Sequence, residues 1–341
     1  MDERRIGIIG TGGIARTHVE AYRAAGATLA ALCDVNPDTL AQRRSEWNVP
    51  VGYVDYRDLL ADASIDAVSI CTPNSSHHPI TIAAAAAGKH VLCEKPVSMD
   101  LAQAHEMIDA CESAGVVFQV GHHMRSWTAA MHAKRLIDRG DIGAVTYARF
   151  RQAHDWGGAR EVRGAFGSKA LSGGGTLLDN GCHLFDLARF LCGDVADVFA
   201  RLATLKFDVE VEDTAVSSLG FRSGALGQVE VAWTATGWQE AFWIHGTEGS
   251  LEVDNRVGHN VLIHRFRHSS DTTWGDTDVA RFDLRGASAH TQHIANFLAA
   301  ISGDREVVCT GQDGLEAVRL VLSSYESAAI GAPVALPLVG Q

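Results

Sequence analysis

The chain has 341 residues, 46% of them hydrophobic and 21% charged, and a net charge of −12. That length favours two domains, and the composition is that of a globular protein able to bury a sizeable core. An acidic balance of this size argues against a broad nucleic-acid or anionic-membrane surface, since both need a basic footprint.

The chain opens with Met1-Asp2-Glu3-Arg4-Arg5 and runs straight into an apolar strand, with no signal-peptide core ahead of it. No apolar run approaches a membrane span. Residues 1–122 then alternate strands and helices. Strands are expected at Arg5–Ile9, Thr28–Cys33, Ala67–Cys71, His90–Cys93 and Val116–Val120. Helices are expected at Ile14–Ala25, Pro37–Trp47, Pro79–Ala87 and Leu101–Ser113. Continuous apolar strands alternating with helices predict a doubly wound parallel sheet, a Rossmann domain over 1–122. Seven scattered cysteines, without C-x-x-C or finger spacing, predict reduced thiols and a cytoplasmic protein.

The second part, 123–341, changes character. After a helix at Ala129–Arg139 come runs with β-type alternation: Val145–Arg151, Val195–Lys206, Thr214–Phe221, Ala225–Thr234, Ala241–His245, Ser250–Val253 and Val261–Arg267. A helix is expected at Thr176–Leu191, and two more, Ser288–Ile301 and Gly311–Ala329, close the chain. This predicts an α+β domain, a large, mainly antiparallel sheet packed by helices on one face. The uncovered face predicts a homodimer or homotetramer formed through it.

The first strand breaks into Gly10-Thr11-Gly12-Gly13-Ile14-Ala15. Gly10 allows a tight turn, Gly12 lets backbone N–H groups approach a pyrophosphate, and Ala15 lets helix and strand pack closely. Gly10 to Ile14 are therefore candidate cofactor contacts. Asp34 ends the second strand about twenty residues further on, where a carboxylate accepts hydrogen bonds from a ribose 2′-OH and repels a 2′-phosphate. With Val35 next instead of an arginine, NAD is favoured over NADP; Arg43 and Arg44 read as solvated. The alternative for Asp34 is a turn or helix cap before Pro37. The strand Ala67–Cys71 ends in Thr72-Pro73-Asn74-Ser75-Ser76-His77, facing the cofactor's path or forming an Asx or Pro turn. The strand His90–Cys93 ends in Glu94-Lys95-Pro96, where proline holds Lys95 extended and leaves a cis bond open.

Gly10-x-Gly12-x-x-Ala15, Thr72-Pro73-Asn74-x-x-His77 and Glu94-Lys95-Pro96, in this order, resemble the Gfo/Idh/MocA oxidoreductase family over nearly the whole chain. The resemblance implies that Lys95 is the catalytic lysine. It also implies that Thr72, Asn74, His77 and Glu94 line the nicotinamide side, with Pro73 among them.

A second constellation is Gly173-Gly174-Gly175-Thr176-Leu177-Leu178-Asp179-Asn180-Gly181-Cys182-His183. Asp179 and His183 are four apart and share one helix face. The glycines make room there for a neighbour or a ligand. The pair alone reads as a structural contact, or as two metal ligands with His122 or His123. The resemblance instead implies that Asp179 and His183 complete the catalytic set with Lys95, with no metal. Histidine is the usual general base near neutral pH, so His183 takes the hydroxyl proton while Lys95 stabilises the developing alkoxide. Asp179 fixes the substrate or sets the tautomer of His183. Candidate substrate contacts are Arg125, His154, Trp156 and Asn180. Trp127 and Phe166 are open to ring stacking or loop packing, Asp155 to hydroxyl binding. Arg149, Arg151, Arg160 and Arg163 are open to anion reading or surface ion pairs. The resulting expectation is an NAD-dependent sugar or cyclitol dehydrogenase. The alternatives are an NAD-using glycosidase of the same fold and a non-catalytic dinucleotide or sugar sensor.

Overall fold

The computed structural model describes residues 4–155, 162–258, 260–266 and 278–337. It divides into two compact units, Met1–Ser126 with Ala287–Val318, and Trp127–Gly286 with Arg319–Gln341.

The first unit is built on β1 (Arg5–Ile9), α1 (Gly13–Ala24), β2 (Thr28–Cys33), α2 (Pro37–Glu46), β3 (Val51–Tyr53), α3 (Tyr56–Ala61), β4 (Ala67–Ile70), α4 (His77–Ala86), β5 (His90–Cys93), α5 (Leu101–Ser113) and β6 (Phe118–Val120). The strands form a six-stranded sheet in the order β3-β2-β1-β4-β5-β6, parallel throughout. This is the doubly wound order in which the winding reverses between β1 and β4, opening a crevice beyond their carboxyl ends. The expected strands and helices are all present. Sequence patterning missed β3 and α3, which are three and six residues long.

Residues 287–318, assigned by chain order to the second half, pack with the first unit. The reason lies in one helix, Ala289–Ile301 (α9 in chain order). Its Ile294 and Phe297 are buried in a cluster with Ile6, Val19, Tyr22 and Leu32, so the core under α1 is completed by a segment far along the chain.

The second unit contains α6 (Thr128–Asp138), β7 (Val145–Asp155), α7 (Lys169–Ser172), α8 (Cys182–Cys192), β8 (Val195–Ala203), β9 (Thr214–Phe221), β10 (Leu226–Ala232), β11 (Thr234–Gly246), β12 (Gly249–Asp254), β13 (Val261–Phe266), β14 (Asp278–Asp283) and β15 (Val334–Ala335). The long helix α10, Gly311–Ile330, has residues in both units. The nine strands pair in the order β14-β13-β12-β11-β7-β10-β9-β8-β15. Only β10 with β7 is parallel, so the sheet is mainly antiparallel, as expected. β11 is far longer than the expected Ala241–His245, because it continues through an irregularity between Thr234 and Trp238 at Gly237, whose φ is +81°.

Alternation along β7 sends Ala148, Phe150, Gln152 and His154 to the buried face and Arg149 and Arg151 to the other. On that open face both arginines bond Glu230, and Arg149 also covers the ring of Trp243. They are thus ion-paired across the sheet from His154 and unable to read a ligand on its side.

The expected helix Thr176–Leu191 begins differently from its pattern. Residues Leu177–Gly181 wind as a wider π turn before α8. Two of the glycines ahead of it, Gly174 and Gly175, admit protein neighbours in place of a ligand. A Cβ at Gly175 would stand 1.9 Å from the Glu212 carbonyl oxygen, and one at Gly174 would stand 2.1 Å from the Tyr325 hydroxyl. Because backbone blocks position 175, Gly175→Ala is expected to lower the melting temperature by about 5 °C or more, on the scale of an overpacked core. Differential scanning calorimetry checks this, with Gly140→Ala as comparison, a site of open space where the cost comes only from a φ of +78°.

Candidate active site

In the first unit the crevice begins at Gly10. Its φ is +87°, and a Cβ there would lie 2.6 Å from the Cys71 carbonyl oxygen, so the turns after β1 and β4 touch only because residue 10 has no side chain. Gly12 and Gly13 are exposed, and a Cβ on either would meet open space. No side chain caps α1 and no acidic residue stands in its first turn. An uncapped helix start fronted by open space fits a pyrophosphate. Ile14 is partly buried against the core below, and Ala15 is fully buried.

Thr11 faces inward. Its N–H and hydroxyl both donate to Asp34 Oδ2, at 3.0 and 2.6 Å, while Asn36 N–H donates to Oδ1 at 2.9 Å. The cap of α2 is Asn36, not Asp34. Asp34 is therefore oriented by the glycine turn and keeps acceptor capacity for a ribose hydroxyl. Val35 beside it is 85% exposed and contributes no cation. Arg43 is not simply solvated: it reaches the Thr11 carbonyl at 3.3 Å and lies over Trp47, with its charge matched by Glu46.

The turns after β4 and β5 are fastened by His77. Fully buried, it sets its two ring nitrogens 2.8 Å from the Pro96 carbonyl and 3.0 Å from the Thr72 carbonyl, and the nitrogen that carries the proton donates to the carbonyl it faces. Burial lowers its pKa, against those two carbonyls. Thr72, Pro73 and Asn74 occupy the turn thus held, and Lys95 precedes Pro96 through a cis bond. Glu94 is 5% exposed and its carboxylate is turned into the core: Oε1 lies 2.8 Å from His18 Nε2, and Oε2 accepts the Lys95 N–H at 3.2 Å. Arg125 is also in this unit, buried, with its guanidinium paired to Asp313 at 2.9 Å and bonded to the Val308 carbonyl.

Sequence reasoning offers His123 only as an alternative metal ligand and misses His290 and His293, with which it forms a cluster here. His123 and His290 stack with centroids 3.7 Å apart, and His293 bonds Ser126 Oγ and the Val120 carbonyl. Burial lowers the pKa of all three, to about 4 for His290 and about 3 for His293.

The second unit gathers Asp179, Asn180, His183 and His154, each 7% exposed or less. Asp179 and Asn180 lie in the π turn and His183 in the first turn of α8. The turn's start is held by Glu212: its carboxylate accepts the Gly175 and Leu177 N–H groups and the Tyr325 hydroxyl, at 3.1, 2.8 and 3.0 Å. Burial raises the pKa of Glu212 despite these donors. Asp179 Oδ2 accepts the Trp233 indole N–H at 3.2 Å. His154 Nε2 meets the Asn180 amide at 3.0 Å, and its ring stacks on Trp238 at 4.3 Å and 8°. Trp233 and Trp238 were not singled out from sequence; the only signal was an aromatic pair flanking Gly237.

Trp127 and Phe166 prove to be packing residues. Trp127 meets Phe242 edge-on and donates to Asn260; Phe166 packs on Phe207, Val211 and Trp233. Asp155 pairs with Lys206. Trp156 and Arg160 lie outside the described residues, as does the side chain of Arg163.

Residues 4–122 match an oxidoreductase family with an NAD-binding Rossmann fold, and residues 130–252 match the GFO/IDH/MocA C-terminal domain. The chain belongs to the Gfo/Idh/MocA oxidoreductase family. It is 32% identical over 330 residues to the 1,5-anhydro-D-fructose reductase of Ensifer adhaerens, covering 96% of this chain and 97% of that one. Against the myo-inositol 2-dehydrogenase of Thermotoga maritima it is 29% identical over 331 residues, covering 95% and 96%. Among solved structures, levoglucosan dehydrogenase in complex with NADH and levoglucosan matches with a TM-score of 0.91 at 27% identity, over 98% of this chain and 100% of that one. As a Gfo/Idh/MocA protein, the chain binds NAD through its Rossmann domain, residues 4–122.

The histidines set a stability profile. Between about pH 6.5 and 4 the unfolded chain binds protons that His290 and His293 refuse in the fold, so stability falls as pH falls through that window. His18 acts in the opposite sense: with its pKa raised to about 10, its contribution is complete below about pH 6.5 and is lost as pH rises through 10. The melting temperature is expected to drop by about 5 °C or more from pH 7 to 4.5, and by less in His290→Gln; thermal scans across that range check it.

Proposed function

We propose that this Gfo/Idh/MocA oxidoreductase is an NAD-dependent dehydrogenase of a sugar or cyclitol, acting on a secondary hydroxyl. The observation that carries the reading is Lys95. It stands at the carboxyl end of β5, in a turn that His77 fastens to the turn after β4, beside the crevice where the sheet's winding reverses. The names of the relatives, a sugar reductase, an inositol dehydrogenase and a levoglucosan dehydrogenase, support the substrate class.

Gly12 and Gly13 at the start of α1 hold the pyrophosphate, and Asp34 takes the adenosine ribose. The turn Thr72-Pro73-Asn74 borders the nicotinamide. Bound NAD supplies the acceptor for the hydride leaving the carbinol carbon. His183 accepts the hydroxyl proton, and the Lys95 ammonium stabilises the oxygen as negative charge develops on it. Asp179, oriented by the Trp233 indole, positions the substrate or His183. His154 and Asn180, already bonded to each other, contact substrate hydroxyls. Trp156 is kept in this role from the sequence alone. Arg125, ion-paired to Asp313, is assigned to the substrate by the family resemblance.

The open face of the nine-stranded sheet, bearing Tyr147, Arg149, Arg151 and Glu230, supports association of two or four copies through it. Seven free cysteines support a reducing, cytoplasmic setting. Among the described residues, no helix is long and apolar enough to cross a membrane.

A panel of sugars and cyclitols assayed for NADH formation tests the activity. On the substrate it reveals, Lys95→Ala and His183→Ala should each lower kcat by about 10²-fold or more, with the NADH dissociation constant changed by less than about threefold. Near-normal turnover in Lys95→Ala would overturn the assignment. Cofactor choice is a separate measurement: kcat/KM should favour NAD over NADP by at least about tenfold, and Asp34→Ala should reduce that preference.

A further inference from the structure

We propose that His18 is a positioning residue for Lys95, acting through Glu94. The inference rests on Lys95 being the catalytic lysine, and it concerns groups that lie wholly within the first unit.

A line of polar side chains crosses the core beneath the crevice. Tyr22 Oη lies 2.8 Å from Ser69 Oγ, Ser69 Oγ lies 3.1 Å from His18 Nδ1, and His18 Nε2 lies 2.8 Å from Glu94 Oε1. The other carboxylate oxygen accepts the Lys95 backbone N–H at 3.2 Å. Tyr22, Ser69, His18 and Glu94 are each 5% exposed or less, and Tyr22 and Val19 on the same helix belong to the apolar cluster.

A charged pair in such a place is poor value as a source of stability, because burying two ions costs several kcal/mol each before their attraction is counted. What this one does is fix direction. With His18 on Oε1 and the Lys95 N–H on Oε2, the Glu94 carboxylate has one orientation. Gly121 closes the remaining side, since a Cβ there would stand 2.8 Å from Oε1. Burial works against the charge on His18, but Cys71 and Glu94 outweigh it and push its pKa up to about 10; Glu94 is held ionised in turn, its pKa lowered against burial by His18, Lys95 and His123.

Without the imidazolium, a carboxylate in an apolar core protonates or rotates. The Lys95 N–H then loses a charged acceptor, and the lysine loses the anchor at its own Cα. His18 also belongs to α1, the helix whose start receives the pyrophosphate. One side chain therefore ties the cofactor helix to the strand end that carries the lysine.

The test is a double-mutant cycle in the intact enzyme, on the substrate identified by the panel: His18→Leu, Glu94→Gln and the pair, with His18→Gln as conservative variant and Lys95→Ala as control. Measured are kcat, KM, the NADH dissociation constant by fluorescence, and melting temperature. His18→Leu should lower kcat by about tenfold while NADH binding changes by less than about threefold, and His18→Gln, which keeps a donor toward Glu94, should recover most of the loss. The double variant should be no slower than the worse single one, because both changes cut the same connection. Unchanged kcat in folded His18→Leu overturns the proposal, as do losses that multiply in the double variant. If His18→Leu does not fold, His18→Asn, a polar side chain too short to reach Glu94, replaces it: kcat lowered in step with Glu94→Gln upholds the proposal, and a lowered melting temperature with kcat intact overturns it. Normal turnover in Lys95→Ala would instead remove the reading on which the inference rests; a dead Lys95→Ala beside silent His18 variants removes only the inference.

Discussion

The close approach of two turns at the reversal of the parallel sheet is the constraint on which the first unit depends. β1 and β4 are neighbours whose connections leave on opposite sides, so their carboxyl ends diverge above the sheet. For the turns to meet at their bases, residue 10 must lack a side chain and adopt a φ of +87°, with the Cys71 carbonyl 2.6 Å from where a Cβ would be. From that contact follow the bare start of α1, the inward aim of Thr11 toward Asp34, and the position of the Thr72 turn. His77 then carries the arrangement one strand further, to Pro96 and Lys95.

The features legible in the sequence are those whose physics is local. The Gly10–Ala15 turn, the placement of Asp34 and the alternation of apolar strands with helices depend on near neighbours, and each is found where expected. So is the β-rich second half, because alternation along Thr214–Phe221 or Val261–Phe266 reflects one buried face. Local patterning failed where a segment is short or its partner distant. Val51–Tyr53 offers three residues of signal, and α9 gives no sign that its partners are Ile6 and Tyr22. Only Ala241–His245 of β11 is legible, because Gly237 interrupts the alternation ahead of that run.

The same division runs through the proposed site residues. Lys95, Asp179 and His183 are visible because motif and resemblance mark them. The groups that aim such residues are not, because nothing in the sequence relates His18 to Glu94, or Glu212 to Leu177, across 76 and 35 positions. A triplet of glycines suggests space, but whether a ligand or a neighbour fills it depends on where Glu212 and Tyr325 fall; here they fill it. Arg149 and Arg151 show the converse error. They stand within a few residues of His154, yet the two-residue period of β7 puts them on the opposite face.

The two units share a device. In the first, the Glu94 carboxylate holds the backbone N–H of Lys95; in the second, the Glu212 carboxylate holds the N–H groups of Gly175 and Leu177 at the start of the turn that carries Asp179. Neither acid is free to choose its orientation, since His18 fixes one and Tyr325 the other. Their protonation is biased in opposite directions. Glu94 faces an imidazolium and a lysine and is held charged, whereas Glu212 faces only neutral donors, and burial raises its pKa. A buried carboxylate with a cationic partner keeps its charge and aims what it binds at any working pH. One with neutral partners aims equally well while it remains ionised, and the helix start it caps favours the charge that burial opposes. That difference makes the first anchor the less dependent on pH, and it is the one that holds the lysine's own N–H.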